Sequence, residues 1–222
     1  MSNSKTFSNN LFALNKPLIV AVTGASGVVY SIRLLDFLLA CGQKIELVFS
    51  NAALRVFQEE HDIILPINDS KEKILQALNL PESRTDLVNI HKSNDYGASI
   101  ASGSYPSMGM IVIPCTLGSL GSLACGLSQN LIHRAGLVTL KERRKLVIVL
   151  REMPYGHIQL KHMLALSEAG AVITSASPGF YHKPQTIQDQ IDFVVGKVID
   201  LFDLDNNLFK RWKVDSLNSS QA

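Results

Sequence analysis

The chain is poor in the residues that cross-link, chelate or mark a charged partner. It has 3 cysteines, Cys41, Cys115 and Cys125, in 222 residues. That odd number, without a CxxC pair, argues against a disulfide framework or a zinc cluster and fits a reducing cytoplasm. Charged residues make up only 18%, against roughly 25% in ordinary soluble proteins. Lys+Arg at 21 nearly balances Asp+Glu at 19, so nothing marks nucleic acid or an anionic membrane as the main partner. His61, His91, His133, His157, His162 and His182 show no HExxH or related spacing, and no metal is assigned. Neither GxGxxG nor GxxxxGK[ST] occurs. The first 16 residues hold no apolar run of signal-peptide length. No internal repeat, low-complexity segment or linker is visible.

What the chain has in plenty is apolar surface to bury, 46% of its residues. One domain is expected over residues 17–203, with a polar tail at 1–16 and an extension at 204–222 that could serve as an active-site lid. No Asp, Glu, Lys or Arg lies between Asp95 and His133. That stretch is long enough to span a bilayer, but it is dense in Gly and Ser and broken by Pro106 and Pro114. It reads instead as a buried strand between loops of small residues that suit close approach to a ligand or another subunit.

Short β-branched runs alternate with amphipathic stretches. Strands are expected at 18–23, 44–50, 108–113, 146–150 and 171–175, the third ended by Pro114. Helices are expected after Gly27, after a cap at Asn51, and over 69–78, 119–131, 137–144 and 157–169. A last long helix, capped by Thr186, carries Ile187, Ile191, Val194, Val195, Val198 and Leu201 at helical spacing. Five near-continuous apolar strands alternating with helices predict an α/β fold: an open, doubly wound parallel sheet, flavodoxin-like or Rossmann-like, in a three-layer sandwich.

Ligands of such sheets bind beyond the carboxyl ends of the strands, so the residues that follow each strand are the candidates. Gly24-Ala25-Ser26-Gly27 follows the first; it is either a tight turn or a seat for a phosphate at a helix start. The second strand ends in Ser50, where an NAD site wants an acid for the ribose, so a mononucleotide such as FMN fits better. Thr116, Leu117, Gly118 and Ser119 follow the third, as a plain turn or as hydroxyls for a flavin edge or phosphate. Cys115 beside them reads as a packed small hydrophobe. Arg151 and Glu152 follow the fourth, as a structural ion pair or as an anion binder and a proton carrier. Tyr181 sits in a Pro-bracketed loop after the fifth. Arg134 and Lys141 share a face if their helix is continuous. Trp212 is a packing anchor or a lid over a ring.

Taken together, the segments VTGASG with Tyr30, RLLDFLL, ASGS at 101–104, IPCT at 113–116, NLIHRAGLVTLKERR at 130–144, REMP at 151–154 and PGFYHKPQTIQDQIDFVVGKVID at 178–200 resemble the UbiX-type flavin prenyltransferase family over residues 17–212. The resemblance implies a dodecamer of flavodoxin-like subunits that transfers a dimethylallyl group from dimethylallyl phosphate to N5 and C6 of reduced FMN, without a metal. The prenylated FMN would serve a UbiD-type decarboxylase, often in ubiquinone biosynthesis. It implies FMN contacts at Gly24, Ala25, Ser26, Ser50, Thr116, Leu117, Gly118, Ser119 and Arg151, with Trp212 covering the flavin. Ser26, Glu60 and Glu152 match catalytic positions, and Arg134, Lys141, Tyr181 and Lys197 match groups around the substrate phosphate. Lys197 stands where relatives carry Arg or Lys. Leu137 replaces a common Asp and His162 a common Asn. An FMN-dependent decarboxylase acting on cysteine-containing or aromatic acids, and a non-catalytic flavin carrier, are the alternatives. The first is disfavoured because residues 116–119 lack the Asn of the S-A-N-T-like stretch.

Overall fold

The computed structural model describes residues 16–212. The polar tail expected at 1–16 falls, except for Lys16, outside the described residues, as does the end of the extension beyond Trp212. The chain divides into two compact units, one through Ser175 and one from Ala176.

The first unit is built on a six-stranded parallel sheet with helices on both sides. Its strands are β1 (Leu18–Val22), β2 (Ile45–Phe49), β3 (Val88–Lys92), β4 (Gly109–Cys115), β5 (Lys145–Leu150) and β6 (Val172–Ser175). Spatial order is β3-β2-β1-β4-β5-β6. All five strand pairs are parallel. The first three strands therefore wind one way from β1 and the last three the other way, which puts the reversal between β1 and β4. Strands β1, β2 and β4 are buried at every position, as a sheet covered on both faces demands.

Five expected strands become six, because β3 was not anticipated. Its VNIHK sequence alternates polar and apolar residues at a sheet edge and makes no apolar run. Strand β4 runs through Pro114 to Cys115 instead of stopping before it. The register with β5 slips between Val112 and Cys115, so the proline sits at a ladder irregularity, where a missing N–H is tolerated.

The helices of this unit are α1 (Val29–Ala40), α2 (Asn51–His61), α3 (Lys71–Ala77), α4 (Leu117–Ala124), α5 (Leu131–Lys141) and α6 (His157–Glu168). Ser50, not Asn51, caps α2, its Oγ accepting from Ala53 N at 3.1 Å. The helices expected at 119–131 and 137–144 are α4 and α5. The first ends at Cys125 and Gly126, the latter at φ +68°. The second starts six residues earlier than its apolar pattern suggests, because Asn130 caps it through Oδ1.

The second unit carries α7 (Ile187–Asp200), capped as expected by Thr186 in a reciprocal box with Asp189. The chain then folds back along this helix. Phe209 packs where a side chain at Gly196 would stand, 2.6 Å from an added Cβ. Arg211 binds both carboxylate oxygens of Asp200, at 2.6 and 2.8 Å.

Candidate active site

The exits of β1 and β4 are tied together across the strand-order reversal. Thr23 is buried. Its hydroxyl donates to Pro114 O and accepts from Thr116 N, both at 2.8 Å. The loop that follows, residues 24–27, lies against the first turn of α2. A Cβ on Gly24 would stand 2.3 Å from Ala52 Cβ. Gly27 adopts φ +92°, a conformation that favours glycine.

Two charged side chains clasp this loop. Gly27 N donates to Glu60 Oε2 at 2.8 Å. Arg151 Nε donates to Ser26 O at 3.2 Å. Because β5 is separated from β1 by β4, the arginine reaches over the end of an intervening strand to do so. The Ala25 and Ser26 N–H groups meet no acceptor among the described residues. Val28, the N-cap of α1, gives no side-chain cap, and no acidic residue occupies the first turn. Uncapped amides, a helix start and a guanidinium together favour an anion.

Ser50 follows β2 and donates its N–H to Val22 O at 2.9 Å. At the β4 exit, Thr116 caps α4 by accepting from Ser119 N at 3.1 Å. Burial pushes the Cys115 thiol up to about 12, which leaves it an inert packing group as expected. Burial also raises the Tyr30 hydroxyl, with the Arg151 cation opposing part of the rise. Arg151 and Glu152 do not form the structural pair that their adjacency allowed. Arg151 turns to Ser26, and Glu152 accepts from Met153 N at 3.1 Å.

The structure therefore brings Ser26, Glu60 and Arg151 into one loop-centred cluster, with Gly24, Ala25 and Ser50 beside it and Glu152 next in sequence. Other expected residues lie elsewhere. Arg134 and Lys141 share the continuous helix α5. Arg134 Nε donates to Ala101 O at 3.1 Å, and Lys141 pairs with Glu142 at 2.9 Å. Helix α5 begins by Ser93, just past β3, and ends four residues before β5. It thus runs against the strands, and Lys141 lies at the sheet's amino edge.

In the second unit the Tyr181 ring meets Phe193 and Trp212 edge-on, with centroids 5.6 and 5.3 Å apart. Trp212 is thereby packed on one side, although it stays 62% exposed. Lys197 is exposed on α7, and its charge helps hold the Asp200 carboxyl below its usual range, after the larger effect of the Arg211 hydrogen bonds. Among the described residues no group of three His, Cys, Asp or Glu is placed to hold a metal ion. No described helix is long and apolar enough to cross a membrane.

Comparison with known proteins gives this rim its context. The Flavoprotein family matches residues 8–203. The flavin prenyltransferase UbiX of Alkalihalophilus pseudofirmus is 46% identical over 201 residues, covering 90% of this chain and 97% of that protein. The chain belongs to the UbiX flavin prenyltransferase family. Among solved structures, AnUbiX in complex with FMN and dimethylallyl pyrophosphate is 37% identical, with a TM-score of 0.78 over 89% of this chain and 97% of that one. A dodecameric FMN-dependent UbiX-like decarboxylase from Escherichia coli O157:H7 is 36% identical, with a TM-score of 0.76 over 89% and 99%.

For a UbiX family member, two features of this rim were not read from the sequence. Thr23 is the link between two strand exits, and the only signal for it is a hydroxyl one residue before the glycine loop. His133 touches the α4 cap from another helix, which no local spacing reveals.

Proposed function

We propose that this chain transfers a dimethylallyl group from dimethylallyl phosphate to N5 and C6 of reduced FMN, without a metal ion. The carrying observation is the 24–27 loop, whose Ala25 and Ser26 amides stay uncommitted while Arg151 and Glu60 fix the loop from opposite sides. That cradle fits FMN. Gly24, Ala25, Ser26, Ser50, Arg151 and residues 116–119 would hold it, and Trp212 would cover it. Bound in its reduced form, FMN supplies the nucleophilic N5 and C6 atoms.

The chain's own residues carry the rest. Arg134, Lys141, Tyr181 and Lys197 would bind the substrate phosphate and stabilise it as it leaves. Each cation at about 4 Å contributes roughly 4 kcal/mol at an effective dielectric constant near 20, before desolvation; several of them stand in for a metal. Lys197 binds as a point charge without the planar fork of arginine. Glu152, or the released phosphate, would take the proton lost at C6 on ring closure as the allyl double bond gains one, and Ser26 would stand near N5. Glu60 keeps the loop in place through Gly27 N. The product would pass to a UbiD-type decarboxylase in the cytoplasm, and the subunits would assemble as a dodecamer.

Anoxic incubation with reduced FMN and dimethylallyl phosphate should yield a flavin heavier by one five-carbon unit, read by mass spectrometry. Recovery of unmodified FMN alone would overturn the proposal. Carbon dioxide released from a cysteine-containing or aromatic acid would favour the decarboxylase reading instead.

A further inference from the structure

His133 lies in the first turn of α5, is only 4% exposed, and has no part in the mechanism above. Its Nε2 stands 3.2 Å from Ser119 Oγ. Its Nδ1 is shut away from solvent and meets no hydrogen-bond partner among the described residues. Ser119 Oγ receives a second contact, the Thr116 hydroxyl at 3.1 Å. Thr116 donates to Ser119 Oγ while its own oxygen accepts from Ser119 N in the α4 cap.

Burial lowers the His133 pKa, so the ring is neutral and has one N–H to place. Two tautomers are open. With hydrogen on Nδ1, a buried N–H would be orphaned, the rarest kind of unsatisfied group. Nε2 would then draw in the Ser119 hydrogen. With hydrogen on Nε2, only a lone pair is orphaned. Ser119 Oγ then accepts twice, from His133 and Thr116, and both of its lone pairs are used. Its hydrogen is then left for a third partner, away from both donors.

We propose that His133 is a positioning residue that holds Ser119 as an obligate hydrogen-bond donor, so that the α4 start selects an acceptor oxygen of FMN. The inference rests on the flavin reading of this rim. It deepens that reading by giving the 116–119 loop a polarity.

Neutron diffraction from deuterium-exchanged crystals of the wild-type protein with FMN reads the point directly. Deuterium is expected on His133 Nε2, with the Ser119 hydroxyl directed at a flavin or phosphate oxygen. Deuterium on Nδ1 overturns the proposal. Solution binding adds a second reading. FMN titrations of wild type, Ser119→Ala, His133→Leu and the double variant form a cycle. Ser119→Ala should weaken FMN about tenfold, and His133→Leu about threefold, within the span of a single hydrogen bond. The double variant should bind no worse than Ser119→Ala, since His133 acts only through that hydroxyl. His133→Gln, which keeps an N–H donor, should recover most of the loss. An equal penalty for His133→Leu in both backgrounds would show a merely structural role and overturn the proposal. Wild-type protein that binds no FMN sinks the functional reading instead, while the tautomer remains readable in crystals without flavin.

Discussion

At Gly24 the absence of a side chain is a steric requirement. An added methyl group would also lie 2.9 Å from the Ala52 carbonyl carbon, and backbone there cannot swing aside. Gly24→Ala should therefore cost about 1–3 kcal/mol, as overpacking does, and reduce FMN occupancy by pushing the loop off α2. Urea unfolding checks the first effect, and an unchanged midpoint would mean the loop has room. Glu152→Gln separates binding from chemistry. A glutamine oxygen still accepts from Met153 N, so FMN should bind as in wild type while turnover falls by about 10² or more, the usual worth of a positioned base. Wild-type turnover would remove Glu152 from the mechanism. Residues that meet around the 24–27 loop were legible where they stood at a strand exit, as Ser26 and Arg151 do. The His133–Ser119 contact was not, because its partners lie 14 residues apart on two helices whose packing the sequence does not print.

Strand β2 carries a residue that its apolar run should not tolerate. Glu46 is 2% exposed inside IELVF. The neighbouring edge strand explains it. Asn89 is the register partner of Glu46, and His91 lies on the same face two residues on. Asn89 Nδ2 donates to Glu46 at 3.0 Å, while His91 Nε2 and Tyr105 OH each approach it to 2.5 Å. The polar alternation that hid β3 from sequence reading is thus the set of partners for a buried carboxylate. Burial by itself would raise the Glu46 pKa, but these three hydrogen bonds outweigh it and hold the carboxyl below its usual range. Burial first, and then the Glu46 hydrogen bond, push Tyr105 up to about 12. Because the folded-state pKa of Glu46 is depressed, its stabilisation is complete above the unfolded value of roughly 4.3 and is lost as pH falls through the folded value. Glu46→Gln should cost about 1–3 kcal/mol at pH 7 and flatten this part of the acid loss. Thermal melts from pH 7 down to pH 3 test it. Parallel pH profiles for the two proteins would show that Glu46 is not the titrating group.

Across the whole molecule, the proposed catalytic groups and the proposed phosphate-binding Lys141 do not meet within the first unit. Ser26, Glu60 and Arg151 sit at the carboxyl rim, while helix α5 carries Lys141 to the opposite edge. Its 11 residues span about 16 Å at 1.5 Å each. A lysine there serves the rim only if a second copy supplies it. The surface agrees with a covered face: α6 leaves Ile158, Leu160 and Leu164 more than half exposed in the single chain, and Met153 just before it is 87% exposed, a cluster of apolar side chains that an isolated protein rarely shows to water. Fold class was readable from sequence because strand alternation is local. A site shared between chains would not be readable in the same way, since Lys141 has the same spacing from Arg134 whichever rim it serves. The consequence can be measured by complementation. Ser26→Ala and Lys141→Ala proteins should each be nearly inactive. Co-expressed and co-purified through separate tags, they should regain activity, up to about a quarter of wild type for random assembly, because some sites then take Ser26 and Lys141 from two intact copies. Mixed oligomers as inactive as either parent would place both groups in one chain's site and refute the shared arrangement, while activity of the Lys141→Ala protein alone would remove that lysine from phosphate binding.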